Sequence, residues 1–277
     1  MLVTLQEILK LADKKENAIG SFNTPNLESL HAVIGAAERK KQPVILMHAQ
    51  IHEEMGLCDM EEISQIMLWG AKRADIPVCV HLDHGTDIAY LKKGLELGFT
   101  SVMYDGSEMS VEENLANTKK VVEMAKNFGA SVEAEVGSMG AREGGGGDTA
   151  EACYTDPDTA AMFVKDTGID ALACAFGTVH GVYLKAPKLD FARLETIRSR
   201  VNVPLVMHGG SGVSEADYQK SIKCGIRKIN YYTYMAKAGA DAVAGKTYSL
   251  YHDLIADATA AMEQDVQRAI EIFQMDK

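Results

Sequence analysis

The sequence predicts an α/β fold, a closed (β/α)8 barrel of the TIM type with an extra C-terminal helical region. Three observations carry that expectation. Eight short apolar runs recur along the chain, their starts separated by 22 to 40 residues. Segments of helical periodicity lie between them. The runs are apolar on both faces, as strands covered by helices on both sides read. A chain of 277 residues holds eight such units, and a closed barrel is the arrangement that matches that number. A doubly wound open sheet is the alternative. It fits less well, because the first strand lacks a glycine-rich dinucleotide turn and polar residues end many strands rather than lining one crevice.

Thr4-Leu5-Gln6-Glu7 is a capping-box pattern ahead of Ile8, Leu9 and Ala12, so a short helix opens the chain. The predicted strands occupy 18–23, 43–48, 77–84, 101–106, 131–137, 171–177, 204–209 and 226–233. The helical segments between them are 26–41, 59–74, 86–97, 111–128, 156–167, 189–200 and 214–223. Residues 111–128 show the pattern well: Val111, Leu115, Val121, Val122 and Ala125 are apolar, whereas Glu112, Glu113, Lys119 and Lys120 are charged. The longest interval contains Gly137-Ser138-Met139-Gly140-Ala141-Arg142-Glu143 and then four glycines, 144–147. Such a stretch is costly to hold in one conformation, and after the fifth strand of a barrel it reads as a mobile lid. Beyond 233 an alanine-rich helical region runs to about Met275, more than barrel closure needs, and it is expected to pack on a neighbouring subunit. No linker splits the chain, so 1–277 reads as one domain.

The net charge of −11 argues against broad electrostatic binding to nucleic acid or an anionic membrane. No apolar run approaches membrane-spanning length, and the N-terminus lacks a signal pattern. The five cysteines are odd in number, scattered and never in CxxC spacing, which fits a reducing cytoplasm.

Strands ending in polar residues carry the chemistry. Val78-Cys79-Val80-His81-Leu82-Asp83-His84-Gly85 is the densest, with His81 and Asp83 on one face by alternation. Gly177-Thr178-Val179-His180-Gly181 and Val206-Met207-His208-Gly209-Gly210 likewise set a histidine between an apolar run and glycine. In a barrel these ends converge on one mouth, together with Asn23, His48, Asp105, Glu135 and Asn230. Three imidazoles, His84, His180 and His208, leave an open coordination position, as a catalytic metal requires. They suit Zn2+, although ligand type alone also admits Co2+, Mn2+ or Fe2+. His31, His52 and His252 fall on helix or loop segments and are expected at the surface, and His48 stays open. His208-Gly209-Gly210-Ser211-Gly212 after the seventh strand, completed by Asn230 and Thr233, offers backbone amides to a phosphate.

With these residues in place, the sequence resembles the class II, zinc-dependent ketose-bisphosphate aldolases, which include fructose- and tagatose-bisphosphate aldolases. The resemblance runs from Phe22-Asn23 through HLDHG, Tyr104-Asp105-Gly106-Ser107, Glu133-Ala134-Glu135-Val136-Gly137, GTVHG and HGGSG to Lys228-Ile229-Asn230. It implies a cytoplasmic homodimer or homotetramer that reversibly cleaves a phosphorylated ketose to dihydroxyacetone phosphate and an aldehyde. It further implies His84, His180 and His208 as zinc ligands, and Asp105 and Glu135 as an alternate metal position. Asp83 would exchange the proton of the C4 hydroxyl, and Glu143 the proton at the enediolate carbon. Gly181, Gly209, Gly210, Ser211, Asn230 and Thr233 would cradle the phosphate, with a monovalent cation (Na+ or K+) nearby, and Asn23 would contact substrate. Zinc acting as a Lewis acid makes a Schiff-base lysine unnecessary.

Two departures from the family pattern bear on substrate. Asn230-Tyr231-Tyr232-Thr233 replaces the commoner N-(V/I)-(D/A)-T, and Tyr231, Tyr232 and Tyr234 are expected to crowd the eighth strand's exit. Ala49 stands where many members place a serine that contacts the distal phosphate. A ketose 1-phosphate with a different, unphosphorylated aldehyde is therefore an alternative to fructose or tagatose 1,6-bisphosphate. A non-catalytic sugar-phosphate or metal-binding barrel is the reading from another class, and it leaves Asp83 and Glu143 without a use. An amidohydrolase is disfavoured, since it needs an HxH pair on the first strand and an aspartate ending the eighth.

Overall fold

A computed structural model describes residues 1–137, 154–181, 183 and 186–275. Among them, β1 (Leu2–Val3) and α1 (Leu5–Lys15) precede the first barrel strand, β2 (Ile19–Asn23). The repeating units then follow: α2 (Leu27–Lys40), β3 (Val44–Ala49), α3 (Gln50–Glu54), α4 (Met60–Arg73), β4 (Val78–Gly85) and α5 (Ile88–Leu97). After these come β5 (Ser101–Tyr104), α6 (Val111–Lys126), β6 (Ser131–Val136), α7 (Pro157–Thr167), β7 (Ala171–Cys174) and α8 (Phe191–Arg200). The last units are β8 (Leu205–Met207), α9 (Glu215–Lys223), β9 (Ile226–Tyr231), α10 (Thr233–Val243) and α11 (Tyr251–Gln274). Strands β2 to β9 pair in chain order, all parallel, and β9 returns to β2 through Ser21↔Asn230. The result is a closed eight-stranded barrel with alternating helices and a long C-terminal helix, as the sequence predicts.

Strand parity sorts the side chains. Outward residues such as Leu46, Val80, Leu82, Ala134 and Leu172 pack under the helices. Inward Ile19, Ile45, Cys79 and Ala171 meet Leu5, Ile8, Leu9 and Ala12 of α1, which plugs the N-terminal end of the barrel. The expected capping box is formed at Thr4 and Glu7. With the lower end filled by apolar groups, the polar inward positions are left at the C-terminal mouth.

Two short elements escape the sequence reading, β1 and α3. The two-residue β1 pairs with the start of β4, where β5 has not yet begun. The C-terminal helical region forms as expected, and one face of α11 is taken up by this chain itself, with Val266, Ile270 and Phe273 buried and Arg39 and Lys40 of α2 paired with Glu263 and Glu271. Tyr231, by contrast with expectation, does not crowd the mouth. Its parity turns it outward onto Phe22 and Phe273, and its hydroxyl donates to Asp265 at 2.8 Å.

Candidate active site

The end of β4 is built by a break in alternation. Cys79, His81 and Asp83 point inward and Leu82 outward, so a regular strand would send His84 away from the mouth. Instead His84 takes φ 47°, and the register against β5 shifts between Leu82 and Gly85. A left-handed conformation costs a non-glycine residue roughly 1–2 kcal/mol, and here it brings His84 to the same side as Asp83. His208 follows β8 directly, and His180 lies on the loop after β7. The ring centroids are 4.5 Å apart for His84 and His208, 5.1 Å for His84 and His180, and 6.0 Å for His180 and His208. One nitrogen from each ring lies within 4.8 Å of the others.

Hydrogen bonds fix which nitrogens those are. His84 Nδ1 donates to Asp105 Oδ2 at 2.8 Å, which leaves Nε2 as the lone-pair nitrogen. His208 Nε2 donates to Glu133 Oε1 at 2.8 Å, which leaves Nδ1. Those two remaining nitrogens face each other at 2.8 Å, an arrangement that needs a proton or a cation between them. The electrostatics agree. Burial opposes charge on His84, yet Asp83, Asp105 and Glu135 push it up to about 10. Burial and the adjacent His84 hold His208 down to about 4. Burial and Asp105 raise Glu135 to about 8, and its buried Oε2 has no hydrogen-bond partner among the described residues. His84, Asp105 and Glu135 form a second group of convergent donors. A donor set short of positive charge, with two lone pairs aimed at one point, fits a divalent cation.

Asp83 is 1% exposed and accepts from Asn230 Nδ2, 3.2 Å from each of its oxygens. His81 Nε2 lies at 3.5 Å and Lys228 Nζ at 3.9 Å. Burial opposes the charge of Asp83, but His84, His81 and Lys228 hold its carboxyl well below the usual range. It stands ionised beside the imidazoles.

The loops after β7, β8 and β9 touch where glycine is required. A Cβ on Gly209 (φ 60°) would lie 2.3 Å from the Val179 carbonyl oxygen, and one on Gly210 would lie 2.6 Å from that of Asn230. Tyr183 ties two of the loops together: its oxygen accepts from Val179 N at 2.9 Å, and its hydroxyl donates to Gly209 O at 2.8 Å. Ser211 Oγ accepts from Tyr232 N at 3.0 Å, and Thr233 opens α10. Gly209, Gly210, Ser211 and Asn230 therefore meet at one side of the mouth, while Gly181 follows His180 on the loop after β7 and Thr233 begins α10 after Tyr232. Asn23 ends β2 there, buried, with Nδ2 unpartnered among the described residues. Ala49 is inward, fully buried and in register with Asp83. Glu143 and the glycine-rich segment after Gly137 lie outside the described residues.

Two histidines sit elsewhere than expected. His52 is buried, its ring 5.0 Å from that of Tyr232, because α3 folds it inward. His48, among the predicted mouth residues, has outward parity. Its Nε2 donates to Tyr90, 2.9 Å away, and the Tyr90 hydroxyl donates to Glu53 at 2.7 Å. Burial, with help from His52, pushes His48 down to about 4. The unfolded chain then binds this proton at a higher pH than the folded one. The stabilisation is full above about pH 6.5 and falls as pH drops towards 4, by about 2–3 kcal/mol. Urea midpoints at pH 7 and pH 4.5 should show a smaller acid loss in His48→Gln than in the parent; equal losses would place the acid sensitivity in other groups.

Below the imidazoles lies a layer formed by His81, already placed on the face of Asp83 by alternation, with Glu133 and Lys228, which stand in the quoted motifs but receive no role from the sequence; all three are fully buried. Glu133 and Lys228 pair at 2.9 Å, and Lys228 and burial act oppositely on Glu133, leaving it at about 2. Their inward parity, two residues below Glu135 and Asn230, is the signal that marks them.

Comparison with known proteins agrees with this geometry. A sequence profile described as "Fructose-bisphosphate aldolase class-II" matches residues 3–277. The chain is 42% identical over 246 residues (87% of its length, 85% of the relative's) to a Bacillus subtilis (strain 168) protein named "Probable fructose-bisphosphate aldolase". It is 41% identical over 246 residues (87% and 84%) to the 6-phospho-5-dehydro-2-deoxy-D-gluconate aldolase of Halalkalibacterium halodurans. The crystal structure of the YdjI aldolase from Escherichia coli K12 superposes with a TM-score of 0.89 at 36% identity, covering 99% of this chain and 97% of that one. With a profile match over nearly its whole length, the chain belongs to the class II fructose-bisphosphate aldolase family and is a class II aldolase, an aldehyde-lyase.

Proposed function

We propose that this chain reversibly cleaves a phosphorylated ketose to dihydroxyacetone phosphate and an aldehyde at the barrel mouth. The observation that carries the reading is the convergence of His84, His180 and His208 beside the ionised Asp83. Family membership implies a divalent metal, and those three imidazoles are the residues that would hold it, with Asp105 and Glu135 as an alternate position. Zn2+ is the proposed ion, with Co2+ or Mn2+ as substitutes. When bound, it would supply Lewis-acid stabilisation to the oxygens of the ketone half.

The chain's own residues supply the rest. Asp83, ionised and held by Asn230, takes the proton from the hydroxyl beyond the bond that breaks and returns it in condensation. The loops bearing Gly181, Gly209, Gly210 and Ser211, with Asn230 and Thr233, bind the phosphate of the ketone half, with Na+ or K+ as a counter-ion; Asn23 contacts substrate. Glu143 moves the proton at the enediolate carbon. Lys228, buried and paired with Glu133, has no free amine for a Schiff base. A single-domain homodimer or homotetramer in the cytoplasm completes the proposal; it is consistent with buried, unpaired Cys79, Cys174 and Cys224 and with the absence of any described helix long and apolar enough to cross a membrane.

Fructose 1,6-bisphosphate or tagatose 1,6-bisphosphate is the first substrate reading. Ala49 supports a second, a ketose carrying one phosphate and a different far end, since it sets no hydrogen-bonding group opposite Asp83. A relative named for a 6-phosphate of a sugar acid points the same way. A lost hydrogen bond to a charged group costs roughly 1.5–3 kcal/mol, about 10- to 150-fold. The test is kcat/KM for both bisphosphates, a ketose 1-phosphate and 6-phospho-5-dehydro-2-deoxy-D-gluconate under one metal condition, in the parent and Ala49→Ser. Ala49→Ser should shift preference towards the bisphosphates by about that factor. A parent that already favours a bisphosphate by several orders of magnitude would sink the second reading.

A further inference from the structure

One layer beneath the imidazoles, the barrel axis holds a carboxylate and an ammonium that the proposed chemistry leaves unused. Glu133 and Lys228 are both 0% exposed. A buried ion pair is commonly replaceable by well-packed apolar residues without loss of stability, and this axis already accepts Ile45, Met103, Ala173 and Val206. Stability alone does not account for the pair.

The contacts suggest a different use. β6 and β9 are separated in the sheet by β7 and β8, so the pair reaches across the barrel. Lys228 Nζ lies 2.9 Å from Glu133 Oε2 and 3.1 Å from Oε1. That same Oε1 accepts from His208 Nε2 at 2.8 Å. An imidazole with its proton on Nε2 must present its lone pair on Nδ1, the nitrogen that faces His84. Two residues along β9, Asn230 holds Asp83. We propose that Lys228 is a positioning residue: its ammonium pins Glu133 with Oε1 under His208, which fixes the Nε2–H tautomer and aims Nδ1 at the mouth. One strand thus orients both a ligand, through Lys228 and Glu133, and the proton-transfer carboxylate, through Asn230. The inference rests on the metal-centre reading above and adds the reason His208 offers one nitrogen rather than the other.

Replacing Lys228 alone strands the Glu133 carboxylate, so the informative variant is Glu133→Gln/Lys228→Met, which keeps near-native volume and carries no charge. Glu133→Gln is the comparison. With the ammonium present, the amide oxygen is its acceptor and stays beneath His208; without it, the amide is free to turn its NH2 to the ring. Long-range 1H–15N spectra of the histidine rings in metal-free protein report the tautomer. Chelator competition with Co2+, followed by its d–d absorption, reports the ligand set. The parent and Glu133→Gln should show His208 as Nε2–H, whereas the double variant should show mixed tautomers and bind Co2+ about 10- to 100-fold more weakly. A double variant with a single Nε2–H tautomer and parent-like affinity would overturn the proposal, as would an Nδ1–H tautomer in the parent. Misfolding of the double variant counts against it equally, because Asp83 keeps Asn230, His81 and His84 as partners and the pair would then be structural. Failure of the parent to bind Co2+ would instead overturn the metal-centre reading, while the tautomer in the metal-free parent still decides the role of Lys228.

Discussion

Removing the divalent cation with a chelator is expected to abolish aldol cleavage, and His180→Ala, His84→Ala and His208→Ala are each expected to cost about 10^3-fold or more in kcat. Lewis-acid stabilisation is worth several kcal/mol, and each 1.4 kcal/mol is tenfold in rate. The three rings come from three different strand-and-loop units, and no other described histidine joins their group of convergent donors, so none can replace another. The variants should differ in side effects. His180 lies on a loop, and its removal should lower metal occupancy with little change in stability. His208 is the donor to buried Glu133, and its removal costs that carboxylate its imidazole hydrogen bond and leaves Lys228 at 2.9 Å and His81 at 3.7 Å, so His208→Ala should also unfold at lower denaturant. Metal content by atomic absorption, read beside kcat, tests both. A metal-free preparation at full activity would remove the metal from the mechanism.

Asp83→Ala is expected to lose about 10^2- to 10^4-fold in both cleavage and condensation, the range of general acid–base catalysis, while retaining its metal. A step that does not break the carbon–carbon bond separates it from Glu143→Ala. Exchange of a C–H proton of dihydroxyacetone phosphate with deuterated water, with no aldehyde present, should persist in Asp83→Ala and be lost in Glu143→Ala. Exchange at the parent rate in Glu143→Ala would assign that proton to another residue.

The barrel was legible because its strands obey simple rules. Apolar runs of fixed order gave all eight barrel strands within a few residues, and Thr4 and Glu7 marked the opening helix. The three histidines were legible for a related reason: each stands at the end of such a run, and closure brings those ends together. What escaped depended on direction rather than position. His48 follows an apolar run as His208 does, yet parity turns it outward to Tyr90. Glu133 and Lys228 stand in the quoted motifs without a role, because a charged residue inside an apolar run acquires one only when barrel closure makes its parity inward. β1 is too short to carry a period, and α3, which buries His52, is a single turn and a half with no distinctive cap.

The left-handed turn at His84 works as a covalent ruler. The distances among His84, His180 and His208 depend on how strands and loops lie against one another, and thermal motion or a distant substitution can stretch them. Asp83 and His84 are instead joined by one peptide unit, whose Cα atoms are about 3.8 Å apart whatever the rest of the barrel does. The spacing between the proposed proton carrier and the proposed metal ligand is thus written into the chain itself. As the fold softens on warming, loop-borne His180 should drift from its partners first, and the Asp83–His84 spacing last.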